Sequence, residues 1–414
     1  MEQEPPVTTH PLNLSAQTAA AAPAAGPTEG RQRHVVLDAL RGFAVLGIAL
    51  ANFPEFALWT FLSPSDQAAM PTAAVDGVVR FLQYMFVDAK FYAIFSLLFG
   101  IGFSLILMRH GKRLFMRRML ILAGIGLVHL LFVWSGDILL LYAIGGMLLM
   151  LFAGCSDRAL LCTAVGLMVL PVGLAALTEF GGMDLAGCFY DAWWREASAQ
   201  GITESNFASW LADADSYRQM WAFLRQGAYE RIWEFVDGHR LPKVLSLFIL
   251  GYLIGKHRLY ARLAELPLRR ILAWLLIPAL LLSALYAYSA TRHPWGPTVH
   301  AVLYALNVVA LVCYVSAFAL CHSHLAFLAA PGRMALTNYI GHSVVGVFLF
   351  YGFGLGLGTH VGLVHIELIA LGVFALQTVF STVWLRYFRF GPLEWLWRML
   401  TYGRYFAIRK RAAD

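Results

Sequence analysis

Long apolar runs, separated by short polar connections, make up most of this chain. Runs of about 17 to 25 residues, the length of a helix that crosses about 30 Å of hydrocarbon, recur between residues 35 and 386. The pattern predicts an all-α, polytopic membrane protein with about ten transmembrane helices. These helices are expected near residues 35–53, 85–108, 116–134, 137–154, 159–178, 242–257, 271–290, 298–321, 335–355 and 362–386.

Interruptions in this pattern divide the chain into five parts. Residues 1–32, rich in Ala, Pro, Gly and Thr, have little to bury and are expected to form a disordered tail. Residues 33–178 and 242–386 are predicted to form two bundles of five helices each. Residues 179–241 have aromatic residues at helical spacing, which indicates an extracytoplasmic segment of interfacial helices, either a plain cap or a lid over a site. Residues 387–414 predict an interfacial amphipathic helix with a basic tail.

The composition agrees with a membrane protein. Hydrophobic residues make up 59% of the chain and charged residues 13%, with a mean hydropathy of +0.65, whereas soluble domains have roughly 25% charged residues. A soluble protein of this composition would expose large apolar patches. The net charge of +7 gives no support for nucleic-acid binding, because basic residues in the short loops of a membrane protein determine its orientation.

The positions of the charges predict the orientation. The segment 109–118 has five Lys or Arg and no acid, and the segment 256–270 has five with a single Glu. With ten spans, both segments and both termini fall on one side, which the positive-inside rule assigns to the cytoplasm. The connection 179–241, with ten Asp or Glu against five Arg, then lies outside. We expect a multi-pass protein of the bacterial inner membrane.

The cysteines give no support for a metal centre. The chain has five, without a C-x-x-C pair, and one of them, Cys188, stands alone in the outer connection. Neither a disulfide framework nor a zinc or haem site follows from this spacing. No tightly bound cofactor is expected.

Polar residues follow one face of the first helix. Arg41 and Asn52 are eleven positions apart, which places them about 20° apart around the helix and about 16 Å apart along it. Asp38 lies on the same stripe. Such residues are costly in a bilayer unless they pair or line a wet cavity, which makes them candidate substrate-binding groups. The alternatives are an ion pair between Asp38 and Arg41 and a helix-packing role for Asn52.

A second group of polar residues is expected in the outer leaflet. Histidine is the side chain best suited to proton transfer near neutral pH, and a carboxylate such as Asp137 would orient His129 for it. A packed, hydrogen-bonded histidine is the alternative. We take His129, Asn52 and Asp137 as candidate catalytic residues. Three further charged residues complete this outer cluster as candidate substrate ligands: Glu55, Asp88 and Lys90.

The ninth apolar run contributes two more candidate substrate ligands. Asn338 and His342 are four positions apart in "GRMALTNYIGHS", so they share one face of a helix. The predicted orientation places them in the inner half of the membrane.

Five motifs, in order, resemble a known family. They are "LDALRGFAVLGIALANF", "FYAIFSLLFGIGF", "VHLLFVWSGDILLLYAIGG", "GRMALTNYIGHS" and "FGPLEWLWRMLTYG". Together they resemble the YeiB-type family of bacterial inner-membrane proteins, which carry a domain of unknown function. The resemblance extends from about residue 33 to the C-terminus.

The opening motif also resembles, more distantly, the transmembrane acyltransferase superfamily, which includes heparan-alpha-glucosaminide N-acetyltransferases and bacterial O-antigen acyltransferases. This resemblance implies transfer of an acyl group from cytoplasmic acyl-CoA to an acceptor on the far side. At the position of Asn52 the O-antigen enzymes have a catalytic histidine, whereas the N-acetyltransferases have an asparagine, as this chain does. Those enzymes place a histidine eleven positions further on, where this chain has Ser63. His129 is the remaining candidate base. The matching residues are Leu37, Asp38, Arg41, Gly42 and Asn52.

Two hypotheses follow. The first is an acyltransferase-like enzyme that uses acyl-CoA as co-substrate and an extracytoplasmic or lipid-linked acceptor. The second is a transporter or exporter of a small polar or amphipathic molecule, without chemistry. A scaffold for partner proteins would leave the polar stripe unexplained. Membrane lipids and a small-molecule or lipid-linked substrate are the expected partners, and the sequence is compatible with a homo-oligomer. Both hypotheses require Arg41, Asn52 and His129 to share a water-reachable cavity.

Overall fold

The computed structural model describes residues 35–410, apart from the side chain of Ala264. The tail predicted over residues 1–32 lies outside the described residues. Within the described range the elements are helices, joined by turns, with one isolated β-bridge between Phe388 and Arg409. The all-α class is therefore confirmed.

Seventeen α-helices follow one another in the described range. The first ten are α1 (Val35–Phe56), α2 (Pro64–Ala68), α3 (Ala73–Phe86), α4 (Phe91–Phe132), α5 (Leu139–Leu149), α6 (Asp157–Gly181), α7 (Gly187–Ala199), α8 (Phe207–Ala212), α9 (Tyr217–Asp237) and α10 (Arg240–Lys256). The others are α11 (Leu268–Arg292), α12 (Pro297–Leu306), α13 (Val308–Cys321), α14 (Ala329–Arg333), α15 (Ala335–Phe350), α16 (Leu363–Tyr387) and α17 (Pro392–Tyr402).

Six helical segments of the described chain are long and apolar enough to cross a membrane. Two shorter apolar helical segments, Leu139–Phe152 and Ala335–Phe350, accompany them. The protein is thus a helical membrane protein, while ten crossings and a cytoplasmic N-terminus stay predictions. The six long segments are Val35–Phe56, Ala73–Phe132, Asp157–Gly181, Leu268–Arg292, Pro297–Cys321 and Leu363–Tyr387.

Helix α4 covers two of the predicted helices, near 85–108 and 116–134, with a sharp reversal between them. Gly111 has φ 74° and ψ 177°, outside the helical region, a conformation that glycine adopts at low cost. The rings of Phe103 and Phe115, which lie on either side, meet with centroids 4.4 Å apart. Twelve residues of straight helix would separate them by about 18 Å. The chain therefore turns back on itself at Gly111.

Helix α1 is the axis around which the bundle packs. It contacts α4, α14, α15 and α16, and Ala44, Ala49 and Phe53 on it are fully buried. At its C-terminal end, Phe53 and Phe56 join a core cluster with Phe207, on α8, and Phe223, on α9. The segment predicted to be extracytoplasmic thus packs directly against the C-terminal end of α1.

Helix α17 is tied to the bundle by polar contacts. The Glu394 carboxylate accepts hydrogen bonds from the backbone N–H groups of Leu336 (2.7 Å) and Thr337 (3.0 Å) at the start of α15. It also accepts one from the Thr337 hydroxyl at 2.6 Å. Trp397 donates its indole N–H to the Arg118 carbonyl, and the Arg118 guanidinium lies 3.6 Å from the centre of the Trp397 ring.

Glycines allow α4 and α10 to approach closely. A Cβ atom on Gly100 would lie 2.2 Å from the Phe248 carbonyl oxygen, and one on Gly251 would lie 2.1 Å from that of Leu97. These distances are far below van der Waals contact, so a methyl group at either position would force the two helices apart.

We expect Gly100→Ala to lower the free energy of unfolding by about 1–3 kcal/mol, because α4 and α10 must separate. Gly102→Ala is the matched control on the same helix, since a Cβ there meets nothing within 4 Å and alanine favours a helix by about 1 kcal/mol. Thermal unfolding of the two variants in detergent measures the difference. Equal melting temperatures would contradict the close approach.

Candidate functional site

A cavity of about 290 Å³ lies beside the C-terminal end of α1. We call it the charged cavity. Its walls come from α1, the junction of α3 and α4, the turn between α4 and α5, α5, the α9–α10 junction, α11, α12 and α15. Its charged and hydrogen-bonding lining residues are Asn52, Glu55, Asp88, Tyr92, Arg231, Arg240, Lys243, Tyr286, His300, Tyr304 and Tyr339.

The junction of α3 and α4 places Asp88 in the cavity wall. The helical run breaks there, and Ala89 has φ 62°, a conformation that costs a residue with a Cβ about 1 kcal/mol or more. Asp88 accepts a hydrogen bond from the Tyr286 hydroxyl. Lys90 is buried and is not among the lining residues, because its ammonium donates to the Tyr84 carbonyl at 2.8 Å.

Three cationic side chains, those of Arg231, Arg240 and Lys243, also line the charged cavity. Glu234 bridges Arg231 and Arg240 through one carboxylate oxygen each. Burial raises the pKa of Glu234, but the two guanidinium groups outweigh this effect and hold it below its usual value. Lys243 donates to the Gly238 carbonyl at 2.8 Å, and its ammonium lies 4.1 Å from the centre of the Tyr304 ring. The ammonium therefore has no carboxylate at hydrogen-bonding distance in the described part of the chain.

Asn52 and Glu55 present polar groups towards this cavity from the last turns of α1. Both are only partly buried and line it, and neither side chain forms a hydrogen bond within residues 35–410. An amide and a carboxylate are thus open to a ligand, next to the cationic wall.

His129 and Asp137 form a buried pair just behind the cavity wall. The His129 Nδ1 lies 2.9 Å from one Asp137 carboxylate oxygen, and the other oxygen accepts the Leu140 backbone N–H at 2.8 Å. Both side chains are about 1% exposed, and the His129 Nε2 has no hydrogen-bond partner in the described range. The imidazole packs against the rings of Trp134 and Tyr339, which line the cavity. The pair is one side chain away from the cavity.

Asp38 and Arg41 occupy the other end of α1. Their side chains form an ion pair at 2.8 Å, which matches the alternative stated for them from the sequence, and neither is among the lining residues of the charged cavity. The cavity shared by Arg41, Asn52 and His129 is thus only partly realised: Asn52 lines it, His129 lies behind its wall, and Arg41 is elsewhere.

Asn338 and His342 are buried within the helical bundle. The Asn338 amide donates to the Pro331 carbonyl at 3.1 Å and to the Ser381 hydroxyl at 3.0 Å, and so connects α15 to its neighbours. The His342 ring lies near those of Phe53 and Phe374. Neither residue lines the charged cavity.

The sequence analysis missed most of the cationic and phenolic lining. Arg240 entered only the charge count of the connection 179–241, and Lys243, Tyr286 and His300 were not among the candidate residues. One signal was present: in the predicted orientation, Arg240 and Lys243 stand at the outer end of a membrane helix, against the positive-inside rule. Cations in such a position call for a specific partner.

A second cavity, of about 500 Å³, adjoins the first beneath α7, α8 and α9. We call it the cap cavity. It shares Glu55, Trp134, Gly136 and Arg231 with the charged cavity. The rest of its lining is mainly aromatic and acidic. In the described part of the chain, no cluster of three or more His, Cys, Asp or Glu side chains is arranged to hold a metal ion.

Comparison with known proteins identifies the family. Residues 254–404 match the family described as a protein of unknown function, DUF418. The chain is 30% identical to the uncharacterized protein YxaH of Bacillus subtilis over 412 residues, covering 93% of this chain and 98% of YxaH. The chain belongs to the YeiB-type family.

Two further relatives agree with this assignment. An uncharacterized 39.9 kDa protein in the amylase 3' region of Bacillus acidopullulyticus is 31% identical, covering 92% of this chain and 98% of that protein. The uncharacterized protein YeiB of Escherichia coli is 29% identical, covering 89% of this chain and 96% of YeiB. No solved structure matches the chain. The YeiB-type relationship therefore fixes the family without naming an activity.

The bridge at Glu234 leads to a stability prediction. Glu234→Gln removes the charge that compensates Arg231 and Arg240, and we expect a loss of about 1–3 kcal/mol, reduced from the value for a fully buried pair by the partial exposure of Glu234. Glu196→Gln, which breaks the exposed contact with Arg225, is the control and should cost less than about 1 kcal/mol. Denaturation in detergent compares them, and equal losses would argue against a special role for the bridge.

Glu230 leads to a pH prediction. Burial, reinforced by the nearby charge of Glu234, raises the pKa of this carboxyl from 4.5 to about 8. Between these two pH values the folded protein holds a proton that the unfolded chain has released, so stability should fall as the pH rises, by at most about 1.4 kcal/mol per unit. Glu230→Gln should remove this slope. Melting curves at pH 5.5 to 8.5 test it, and parallel curves for the two proteins would refute it.

Proposed function

We propose that this protein is an acyltransferase-like enzyme of the bacterial inner membrane. It would move an acyl group from cytoplasmic acyl-CoA to a hydroxyl or amine of an extracytoplasmic or lipid-linked acceptor. One observation carries the proposal: a buried His129–Asp137 pair, with the His129 Nε2 unpartnered, stands behind the wall of a polar cavity. The bacterial relatives and the apolar helices support the location.

The pair has the arrangement that general-base catalysis needs. Asp137 would accept the Nδ1–H hydrogen bond and fix the imidazole tautomer, which leaves Nε2 to take the proton of the acceptor. The acceptor oxygen or nitrogen then bonds to the thioester carbonyl carbon. The carbon–sulfur bond breaks, and the CoA thiolate leaves and takes up the proton.

Other groups of the site fit supporting roles. The Asn52 amide is open to the charged cavity and is suited to stabilise the oxyanion of the tetrahedral intermediate. Arg240 and Lys243 favour an acceptor that carries phosphate or carboxylate. Trp134 and Tyr339 contact both the imidazole and the cavity, so the reaction requires one of these rings to move aside.

The cytoplasmic end of α1 is the proposed donor side. Arg41, together with the basic segment 109–118, would supply cations for the phosphates of acyl-CoA. Because Arg41 and Asn52 are about 16 Å apart along the helix, an extended pantetheine-like arm is the kind of donor that bridges the distance.

Transport is the second candidate, and one observation favours it. The charged cavity and the cap cavity share four lining residues, so the two cavities adjoin. Adjoining polar cavities favour a path for a solute through the outer half of the bundle. A transporter would carry a small polar or amphipathic molecule along that path without covalent change.

The test uses inside-out membrane vesicles that contain the full-length protein, supplied with radiolabelled acetyl-, succinyl- or palmitoyl-CoA. We expect label to move from the thioester into a lipid or lumenal product. His129→Ala should lower this transfer by about 100-fold or more, since general-base catalysis contributes factors of 10² to 10⁴. Asp137→Asn should lower it as well, because the tautomer is no longer fixed.

The control is His365→Gln, which removes an exposed histidine on α16 and should leave transfer unchanged. Transfer that survives His129→Ala at the wild-type rate would remove the proposed base. Vesicles that accumulate an unmodified solute, with no transfer above that of protein-free vesicles, would favour the transporter.

A further inference from the structure

The cap cavity combines aromatic walls with carboxylates. Three indoles, those of Trp193, Trp194 and Trp233, form one side, and the phenyl rings of Phe207 and Phe223 extend it. At about 500 Å³, the cavity falls within the range of sites for small organic molecules, about 300–1,000 Å³. Its opening is marked by Glu204 and Phe61, which are both solvent-exposed.

The indoles are held in place before any ligand arrives. Trp193 stacks on Trp194 and on Trp233, with ring centroids 4.9 Å and 5.2 Å apart. Its N–H donates to the side-chain oxygen of the buried Gln226. A rigid aromatic wall loses little conformational entropy on binding.

Within residues 35–410, no cationic side chain lies over this wall, because the cation–aromatic contacts there involve other rings. Trp193 is stacked on both of its neighbours. The electron-rich faces of Trp194 and Trp233 that point away from this stack are therefore not used by a cation of the described chain.

The charge of the cavity has the complementary sign. Glu55, Glu204, Glu230 and Glu234 line it, against one guanidinium, that of Arg231. Arg231 is already engaged, because its Nε donates to the Ser135 carbonyl at 2.8 Å and it pairs with Glu234. Because Glu234 is paired with two guanidinium groups and Glu230 keeps its proton until about pH 8, the negative charge near neutral pH comes from Glu55 and Glu204. Carboxylates beside aromatic faces form an environment that stabilises an organic cation.

We propose that the cap cavity binds an organic ammonium group, carried either by a small soluble molecule or by a lipid headgroup. The three indoles contact its alkyl substituents and the carboxylates balance its charge. An ammonium is preferred over a metal ion, since aromatic walls offer a metal no ligands. This inference goes beyond the proposed acyl transfer, because binding is measured without any reaction.

Ligand binding should be linked to the proton on Glu230. The groups that act on this carboxyl are Glu234 and Arg231 on the same helix and Glu55 on α1. A bound cation favours the ionised carboxylate, so binding releases a proton. The affinity for the cation should therefore rise between pH 7 and pH 9.

The experiment is calorimetric titration of the full-length protein in phosphatidylglycerol nanodiscs with choline. The comparison ligand is 3,3-dimethyl-1-butanol, which has the same shape without the charge. We expect choline to bind at least tenfold more tightly than the alcohol. Equal affinity, or no binding of choline, would overturn the proposal.

Matched variants locate the site. Trp233→Leu should weaken choline binding about 3- to 30-fold, whereas Trp221→Leu, on the same helix but outside the cavity, should not. Glu230→Gln should remove the rise in affinity between pH 7 and pH 9, whereas Glu196→Gln should keep it. Choline binding that is unchanged in both Trp233→Leu and Glu230→Gln would refute the assignment.

A second arm distinguishes the two sources of the ammonium. If phosphatidylcholine, added to the nanodiscs, weakens the apparent affinity for soluble choline, the cavity takes a lipid headgroup. If it has no effect, the cavity takes a soluble amine. Retention of choline binding by His129→Ala would show that this site stands even where acyl transfer fails.

Discussion

The structure depends on how charge is compensated in a protein whose surroundings are apolar. A lone ion in such a medium costs several kcal/mol, and the charged cavity is lined by side chains of both signs. The bridge through Glu234 to Arg231 and Arg240, together with the Tyr286–Asp88 contact, lets these groups stay charged between helices. The Asn52 amide and the Glu55 carboxyl group line the cavity without a hydrogen bond to another described side chain, and so they are available to a ligand.

The sequence predicted the membrane class, the long helices and part of the site. The cost of polar residues in apolar runs singled out Asn52 and His129, and the structure places both beside the charged cavity. For Asp38 and Arg41 the same argument left two roles open, substrate binding or a mutual ion pair. The structure shows the ion pair. The left-handed Ala89 has no sequence signature, since glycine or asparagine is the expected residue there. The role of Arg240 became visible only in the folded chain, where α10 packs against α4 and α9 and Arg240 lines the charged cavity.

The two cavities differ in the charge and type of the side chains that line them. The charged cavity contains most of the cationic groups, whereas the cap cavity is aromatic and acidic, and Trp134 and Glu55 belong to both. A ligand that carries both an anionic and a cationic group matches this division. Residues of α7, α8 and α9 thereby supply most of the aromatic lining of the cap cavity.

The reversal at Gly111 determines how the site is assembled. Because the chain turns back there, Tyr92 at one end of α4 and His129 near the other both lie close to the charged cavity. Inserting one residue into the returning arm would swing His129 by about 100° and move it by about 1.5 Å along the axis, away from Asp137. The length of that arm, from glycine to histidine, is therefore set by the contact between His129 and Asp137 at its far end.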